Sequence, residues 1–214
     1  FSFAPGHPLE PRKDLDSVHA YGRLLAIVHQ LADRLPIPES RPPLDFERLV
    51  TGPIARLWQT FPSHRRDWAF LREMAPTLQG VIDALGKRAP RYGMCHGDVG
   101  PANVHVTQDG ELTLFDFDFC GPGWRAYDVS VFLIDCTDEV AEAFLAGYQE
   151  IRTLDGEELT AVPVLQVAQH IWLLGLRASY VDEWGTTYFS RQFVDSVLVA
   201  IKENLVKINR RKKR

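Results

Sequence analysis

His96-Gly97-Asp98-Val99-Gly100-Pro101-Ala102-Asn103, followed by Phe115-Asp116-Phe117-Asp118, decides how this chain is read. Asp98 and Asn103 stand five apart across a Gly-Pro loop, and Asp116 follows thirteen residues after Asn103. An HGD triplet with Asn and Asp at fixed offsets arises by chance less than about once in ten thousand chains of this length. Between the two stretches, Val104 and Val106, then Leu112 and Leu114, alternate on either side of Gln108-Asp109-Gly110. Asp-Gly between short apolar alternations reads as a hairpin turn. The polar residues around this hairpin exceed what a turn needs.

Outward from the hairpin the period is helical. Val18, Tyr21, Leu25, Val28, Ala32 and Leu35 share one face of a helix over Asp16–Leu35. Pro36, Pro38, Pro42 and Pro43 then end it and form an extended connector. Trp68, Leu71, Ala75, Leu78, Ile82 and Leu85 mark a helix over Asp67–Leu85, bent at Pro76, with Gly86 as its C-terminal cap. After Pro122 the pattern predicts helices over Arg125–Asp135, Thr137–Glu150 with Thr137 as N-cap, Val164–Val181 and Thr186–Ile208. The fold class is α+β, predominantly α-helical, with one small central β-hairpin.

The length of 214 residues suits a single domain, and 45% apolar with 24% charged residues excludes disorder. The formal charge of −4 is unevenly spread. Residues 202–214 hold seven bases and one acid, which leaves 17 bases against 27 acids, net −10, in the rest. So acidic a body disfavours nucleic acid, and the basic run reads as a solvated tail. Cys95, Cys120 and Cys136 form no CxxC pair, against a disulfide framework or structural zinc and in favour of a cytoplasmic protein. The most apolar stretch, Val162–Ala178, is interrupted by Pro163, Gln166, Gln169, His170 and Arg177, so no membrane span is expected. The start at Phe1 rather than Met suggests a piece of a longer chain.

Phosphoryl transfer needs a carboxylate to receive or orient the attacking hydroxyl, and hard oxygens to hold magnesium against nucleotide phosphates. The protein-kinase catalytic loop has Asp and Asn at this same five-residue spacing, followed by an Asp at a strand end. HGDVGPAN with DFDFCGPGW resembles the aminoglycoside phosphotransferase superfamily of kinase-like enzymes. FDFDFCGPGWRAYD over Phe115–Asp128 looks closest to its homoserine-kinase-like and bacterial stress-response branch. The resemblance is sharp over 92–135, looser over Phe1–Leu35 and weak after Val140. It implies the C-terminal lobe of the protein-kinase-like fold. Its parts would be a hinge and linker over 1–13, helices over 14–91, a catalytic loop and metal-binding hairpin over 92–135, a helical acceptor-side region over 136–209 and a basic tail over 210–214.

By that resemblance Asp98 is the catalytic base or hydroxyl-orienting group, and Asn103 and Asp116 are Mg2+ ligands. His96 braces the loop, and Asp128 hydrogen-bonds its backbone. Asp118 is either a further acidic ligand or a polar residue at the mouth. The cofactors implied are Mg2+ and ATP, and the partner is a small hydroxylated molecule such as an amino alcohol, homoserine or an aminoglycoside. Trp172, Tyr180, Asp182, Glu183 and Trp184 cluster where this superfamily builds its acceptor pocket, and aromatic faces beside carboxylates suit a cationic acceptor.

Two departures bear on function. Eleven residues separate Asp116 from Asp128, too few for an ordered activation segment, and the Arg of the protein-kinase HRD triplet is Gly97 here. Small-molecule phosphorylation fits better than a loop-switched protein kinase. Second, residues 1–90 contain no GxGxxG, so the ATP-gripping N-terminal lobe is expected to be absent, with Phe1-Ser2-Phe3-Ala4 as the hinge. A lost lobe would expose a face suited to self-association. Two rival readings stand: a non-catalytic binding or assembly module, and a stress-response Ser/Thr kinase. His29 on an apolar helix face is expected to be a packed core histidine and His105 to face solvent. Cys95 and Cys120 are read as packing thiols.

Overall fold

Asp14 accepts the Ser17 amide at 2.9 Å, a cap worth about 1 kcal/mol, and the first long helix runs on from it. The structure, a computed structural model, describes residues 3–211. Phe1 and Ser2 of the expected hinge, and Lys212, Lys213 and Arg214 of the expected tail, lie outside the described residues. In chain order the elements are β1 (His7–Pro8), α1 (Leu15–Ala32), a π-helical turn (Glu47–Thr51) continuing into α2 (Gly52–Thr60), and α3 (Arg65–Ala84). There follow β2 (Tyr92–Cys95), β3 (Val104–Val106), β4 (Leu112–Leu114), β5 (Gly121–Trp124), α4 (Arg125–Phe132) and α5 (Asp138–Gln149). The chain closes with α6 (Gly156–Ser179), the single turn α7 (Val181–Trp184) and α8 (Arg191–Arg211). The architecture is α+β and predominantly helical.

The chain folds as two compact units. One joins the residues up to Pro42 to Lys87–Leu159; the other joins Pro43–Gly86 to the residues from Thr160 onward. In the first unit β3 and β4 form the expected hairpin, Val104 opposite Leu114 and Val106 opposite Leu112. Its turn is closed by the Gly110 amide on the Thr107 carbonyl at 3.0 Å, with Gly110 at φ +80°. The sequence pattern missed two further strand pairs: β1 extends the hairpin beside β3, and β2 pairs antiparallel with β5. The second sheet sets Cys95 opposite Gly121 and Tyr92 opposite Trp124.

The core of this unit is built on α1 against α5. Two glycines let the helices meet backbone to backbone. A Cβ on Gly22 would fall 2.0 Å from the Phe144 carbonyl oxygen, and one on Gly147 would fall 1.9 Å from that of His19. Around this contact Phe132 and Phe144 stack at 4.0 Å, with Tyr21 edge-on to both. Thr137 caps α5 as expected, its hydroxyl accepting from the Val140 amide at 3.5 Å.

α6 begins eight residues before the expected start. A reciprocal capping box sets it: Asp155 accepts the Glu157 and Glu158 amides at 2.9 and 3.0 Å, and Glu158 accepts the Asp155 amide at 3.1 Å. Pro163 lies inside the helix without ending it. By length and composition α6 could cross a membrane, yet 72% of its most apolar window is buried within the fold.

Glu158 is buried and one of its oxygens has no partner, so burial raises its carboxyl above the ordinary glutamate value. A raised carboxyl favours the fold at low pH and opposes it once ionised. Glu158→Gln keeps the capping box and removes the buried charge. It is expected to raise the melting temperature at pH 7, with the gain vanishing below the ordinary glutamate value. Equal melting curves at pH 7 would overturn this.

In the second unit Trp68 is fully buried and donates its indole N–H to the Phe61 carbonyl at 2.9 Å, and Phe61 stacks on Phe189 at 4.0 Å. Pro53 begins α2 and packs on Gly175, where a Cβ would lie 2.5 Å from its ring. Gly86, at φ +65°, follows α3 in the left-handed conformation of a C-terminal stop.

Candidate active site

The β2–β5 pairing positions the site. Strand β2 ends at Cys95 and feeds the loop beginning at His96; β5 feeds directly into α4, whose first turn holds Asp128. Asp128 is fully buried and receives three donors. The His96 and Gly97 amides donate to it at 2.6 and 2.9 Å, and His29 Nε2 donates at 2.9 Å. Burial alone would raise this carboxyl, but the His29 hydrogen bond and the two amides outweigh it and hold it below the usual aspartate value. Gly97 sits at φ +88°, and a Cβ there would fall 2.5 Å from the Phe119 carbonyl oxygen. Only glycine fits this turn.

His96 links the loop to the hairpin. Its Nδ1 accepts the Asp98 amide at 3.2 Å, which fixes the proton on Nε2, and Nε2 donates to the Phe115 carbonyl at 2.9 Å. The Phe115 amide in turn donates to the Asn103 carbonyl at 3.0 Å. Asn103 Nδ2 donates twice to Asp98, to its carbonyl and to carboxylate Oδ2, both at 2.9 Å. The carboxamide is thereby oriented with its nitrogen on Asp98 and its oxygen turned the other way. Asp116, next after Phe115, is exposed and left-handed at φ +64°. Among the described residues no donor engages its carboxylate. Asp118 is exposed two residues on, its carbonyl approached by Arg41 at 3.4 Å. The structure thus brings His96, Asp98, Asn103 and Asp128 into one bonded network, with Asp116 at its edge.

His29 exceeds the packed core histidine expected of it. Tyr148 donates its hydroxyl to His29 Nδ1 at 2.8 Å, and His29 passes a hydrogen bond to Asp128. Burial pushes the imidazole below its ordinary value, so the ring is neutral. His105 also departs from expectation: its Nδ1 lies 3.0 Å from the Ala4 carbonyl and its ring packs edge-on to Phe115. Arg125, fully buried, donates to the His29 carbonyl and to Asp33, passing over Gly93.

His29, Cys95 and Asp128 bring ligand atoms within 4.8 Å of one another, the one such His/Cys/Asp/Glu trio among the described residues. It does not fit a metal. Both His29 nitrogens and both Asp128 oxygens are engaged, Cys95 donates to the Trp124 carbonyl at 3.3 Å, and burial raises its thiol well above the ordinary value.

The expected acceptor residues all lie in the second unit. Tyr180 and Trp184 stack at 4.3 Å, and Tyr188, which the sequence reading passed over, packs 5.4 Å from Trp184. Trp184 and Tyr188 are about half exposed, at 49% and 53%, and Asp182 and Glu183 are exposed beside them. Trp172 is buried within α6.

Residues 1–160 match the profile of the family described as phosphotransferase enzymes. A Deinococcus radiodurans protein, described only as uncharacterized, is 33% identical over 204 residues, 91% of this chain and 58% of that protein. The homoserine kinase of Rhizobium etli strain CIAT 652 is 37% identical over 108 residues, 44% of this chain and 34% of the enzyme. A microcompartment-associated aminopropanol kinase of known structure shares the fold, with a TM-score of 0.70 at 24% identity, covering 94% of this chain and 64% of that one. The chain spans less than two thirds of the curated relatives it matches.

Proposed function

The chain belongs to the phosphotransferase enzyme family, and on that premise we propose that it carries the catalytic loop of an ATP-dependent kinase for a small-molecule hydroxyl. One observation carries this reading: Asn103 holds both the carbonyl and the carboxylate of Asp98. One carboxylate oxygen of Asp98 is thereby fixed, and the other is left for the acceptor hydroxyl. A carboxylate so oriented can receive the hydroxyl proton as the oxygen attacks the terminal phosphate in line, and the gain comes from positioning.

Mg2+ prefers hard oxygen ligands, and the donor set fits. The outward oxygen of Asn103 and the unengaged carboxylate of Asp116 would hold it, on a strand end tied to the loop through Phe115. When bound, the ion would neutralise the charge of the nucleotide phosphates. His96 and Asp128 act on the loop and not on substrate.

The segment between Asp116 and Asp128 supports a small-molecule acceptor over a loop-switched protein kinase. A short 3-10 turn and the buried strand β5 occupy it, with no long segment for phosphorylation to order. An amino alcohol or homoserine suits the reading best. Trp184, about half exposed and stacked on Tyr180 beside Asp182 and Glu183, has the face and the neighbouring charges for a cationic amine.

Calorimetric titration with Mg·ATP tests the metal role. Asp116→Asn tolerates the left-handed backbone and removes one charge. It is expected to weaken Mg·ATP binding by about tenfold or more, an unshared charge-assisted contact being worth roughly 1.5–3 kcal/mol. Undiminished affinity in the variant would remove Asp116 from the metal site.

A further inference from the structure

A cavity of about 480 Å3 lies within the first unit, away from the groups assigned to phosphate transfer. Its walls are Leu9 and Pro11 of the β1–α1 linker, Pro101 of the catalytic loop, and Phe132, Cys136 and Val140. Small-molecule sites fall between roughly 300 and 1,000 Å3 and are mostly apolar with a few polar groups. This cavity has that character.

Four charged residues line it. Glu10 and Lys13 neutralise each other in an ion pair. Arg12 and Asp135 are exposed, of opposite sign, and neither has an ion-pair partner among the described residues. Both lie near Cys136, since Asp135 raises its thiol and Arg12 lowers it. Cys136 is otherwise accounted for. Its thiol donates to the Phe132 carbonyl at 3.1 Å and is pushed up to about 11, chiefly by burial, so it is not a nucleophile. Asp135 stands at φ +57°, and among the described residues only it and Asp116 are non-glycine residues in the left-handed region. Backbone strain of this kind collects at binding and catalytic sites.

We propose that this cavity binds a free α-amino acid with an apolar side chain, its carboxylate on Arg12 and its ammonium on Asp135. An unpaired cation and an unpaired anion flanking an apolar volume complement that class of small molecule. A fatty acid would meet Asp135 with like charge, and a simple amine would meet Arg12 in the same way. Pro101 is both a wall of the cavity and the first residue of the turn that carries Asn103 to Asp98. Occupancy therefore bears on the catalytic loop from outside the substrate site. The binding proposal itself does not depend on the phosphotransfer reading.

Calorimetric titration of the chain with L-phenylalanine, phenethylamine and 3-phenylpropionate tests it, alongside Arg12→Gln and Asp135→Asn. Both side chains are exposed, and Asn tolerates the left-handed backbone, so the variants should fold, as far-UV circular dichroism will show. Saturable binding of phenylalanine is expected, about tenfold or more weaker for each analogue and for each variant. Absence of saturable binding to the folded chain would overturn the proposal. So would an analogue that binds as tightly as the amino acid, or undiminished affinity in either variant.

Discussion

Asp98→Asn is expected to lower phosphate transfer by about a thousandfold while leaving Mg·ATP affinity within about threefold of its starting value. The size follows from what the carboxylate is asked to do. Positioned proton transfer contributes typically 10²–10⁴ in rate, and an amide cannot accept the hydroxyl proton. The replacement also turns a nitrogen or a neutral oxygen toward Asn103 Nδ2, which now donates to Oδ2 at 2.9 Å. Asn103 and Asp116 keep their oxygens, so the nucleotide should still bind. The measurement is ADP release with homoserine and with aminopropanol, in a preparation that transfers phosphate, beside a Mg·ATP titration. Transfer within tenfold of the unsubstituted protein would take the catalytic role from Asp98. Loss of nucleotide binding together with transfer would place Asp98 among the metal ligands instead.

Asp128→Ala is expected to cost about 3–5 kcal/mol of stability. It strands the His96 and Gly97 amides and His29 Nε2 in a dry interior, where each unmet donor costs roughly 1–3 kcal/mol. The pH dependence should move with it. His29 and Asp128 are both held below their ordinary values, so their contributions are present above those values and lost as pH falls. The unsubstituted protein should weaken as pH drops below 6.5, the ordinary histidine value, and again below 3.8, the ordinary aspartate value. The variant should lack Asp128's share of the second loss, the shares of Asp14 and Asp155 remaining. Denaturant unfolding from neutral to acid pH checks both. A variant within about 1 kcal/mol of the starting stability would mean that the loop finds other partners.

The bonded loop from His96 to Asn103 was legible because its residue types stand at short, fixed separation. Val104, Val106, Leu112 and Leu114 with Asp109-Gly110 were legible because a hairpin is a local object. What was missed depends on distance or on weak propensity. Strands β2 and β5 contain Gly93, Gly121, Pro122 and Gly123, none a strand former, and pair across a long connection. His29 reads as a core residue because its partners, Tyr148 and Asp128, lie 119 and 99 residues away. The helix over Gly52–Thr60 is hidden behind Gly52 and Pro53, although proline at a helix start is a favoured position. For α6 the Asp155-x-x-Glu158 box lies in plain view ahead of the expected start at Val164, and the helix runs through Pro163.

Gly22 and Gly147 set a tolerance for the whole site. Tyr148 follows directly on Gly147, and its hydroxyl is the first link of the chain that runs through His29 and Asp128 to the loop at His96. The gap between α1 and α5 therefore works like a gauge block: it fixes how far Tyr148 reaches, and so how firmly His29 is seated. Any side chain inserted there acts as a shim. Even the methyl group of alanine would press the helix pair apart and carry that displacement toward Asp98 through hydrogen bonds and through the core that Tyr21, Phe144 and Val99 share. Wear in this fold would show first as lost alignment of the loop, in a protein whose core is still closed.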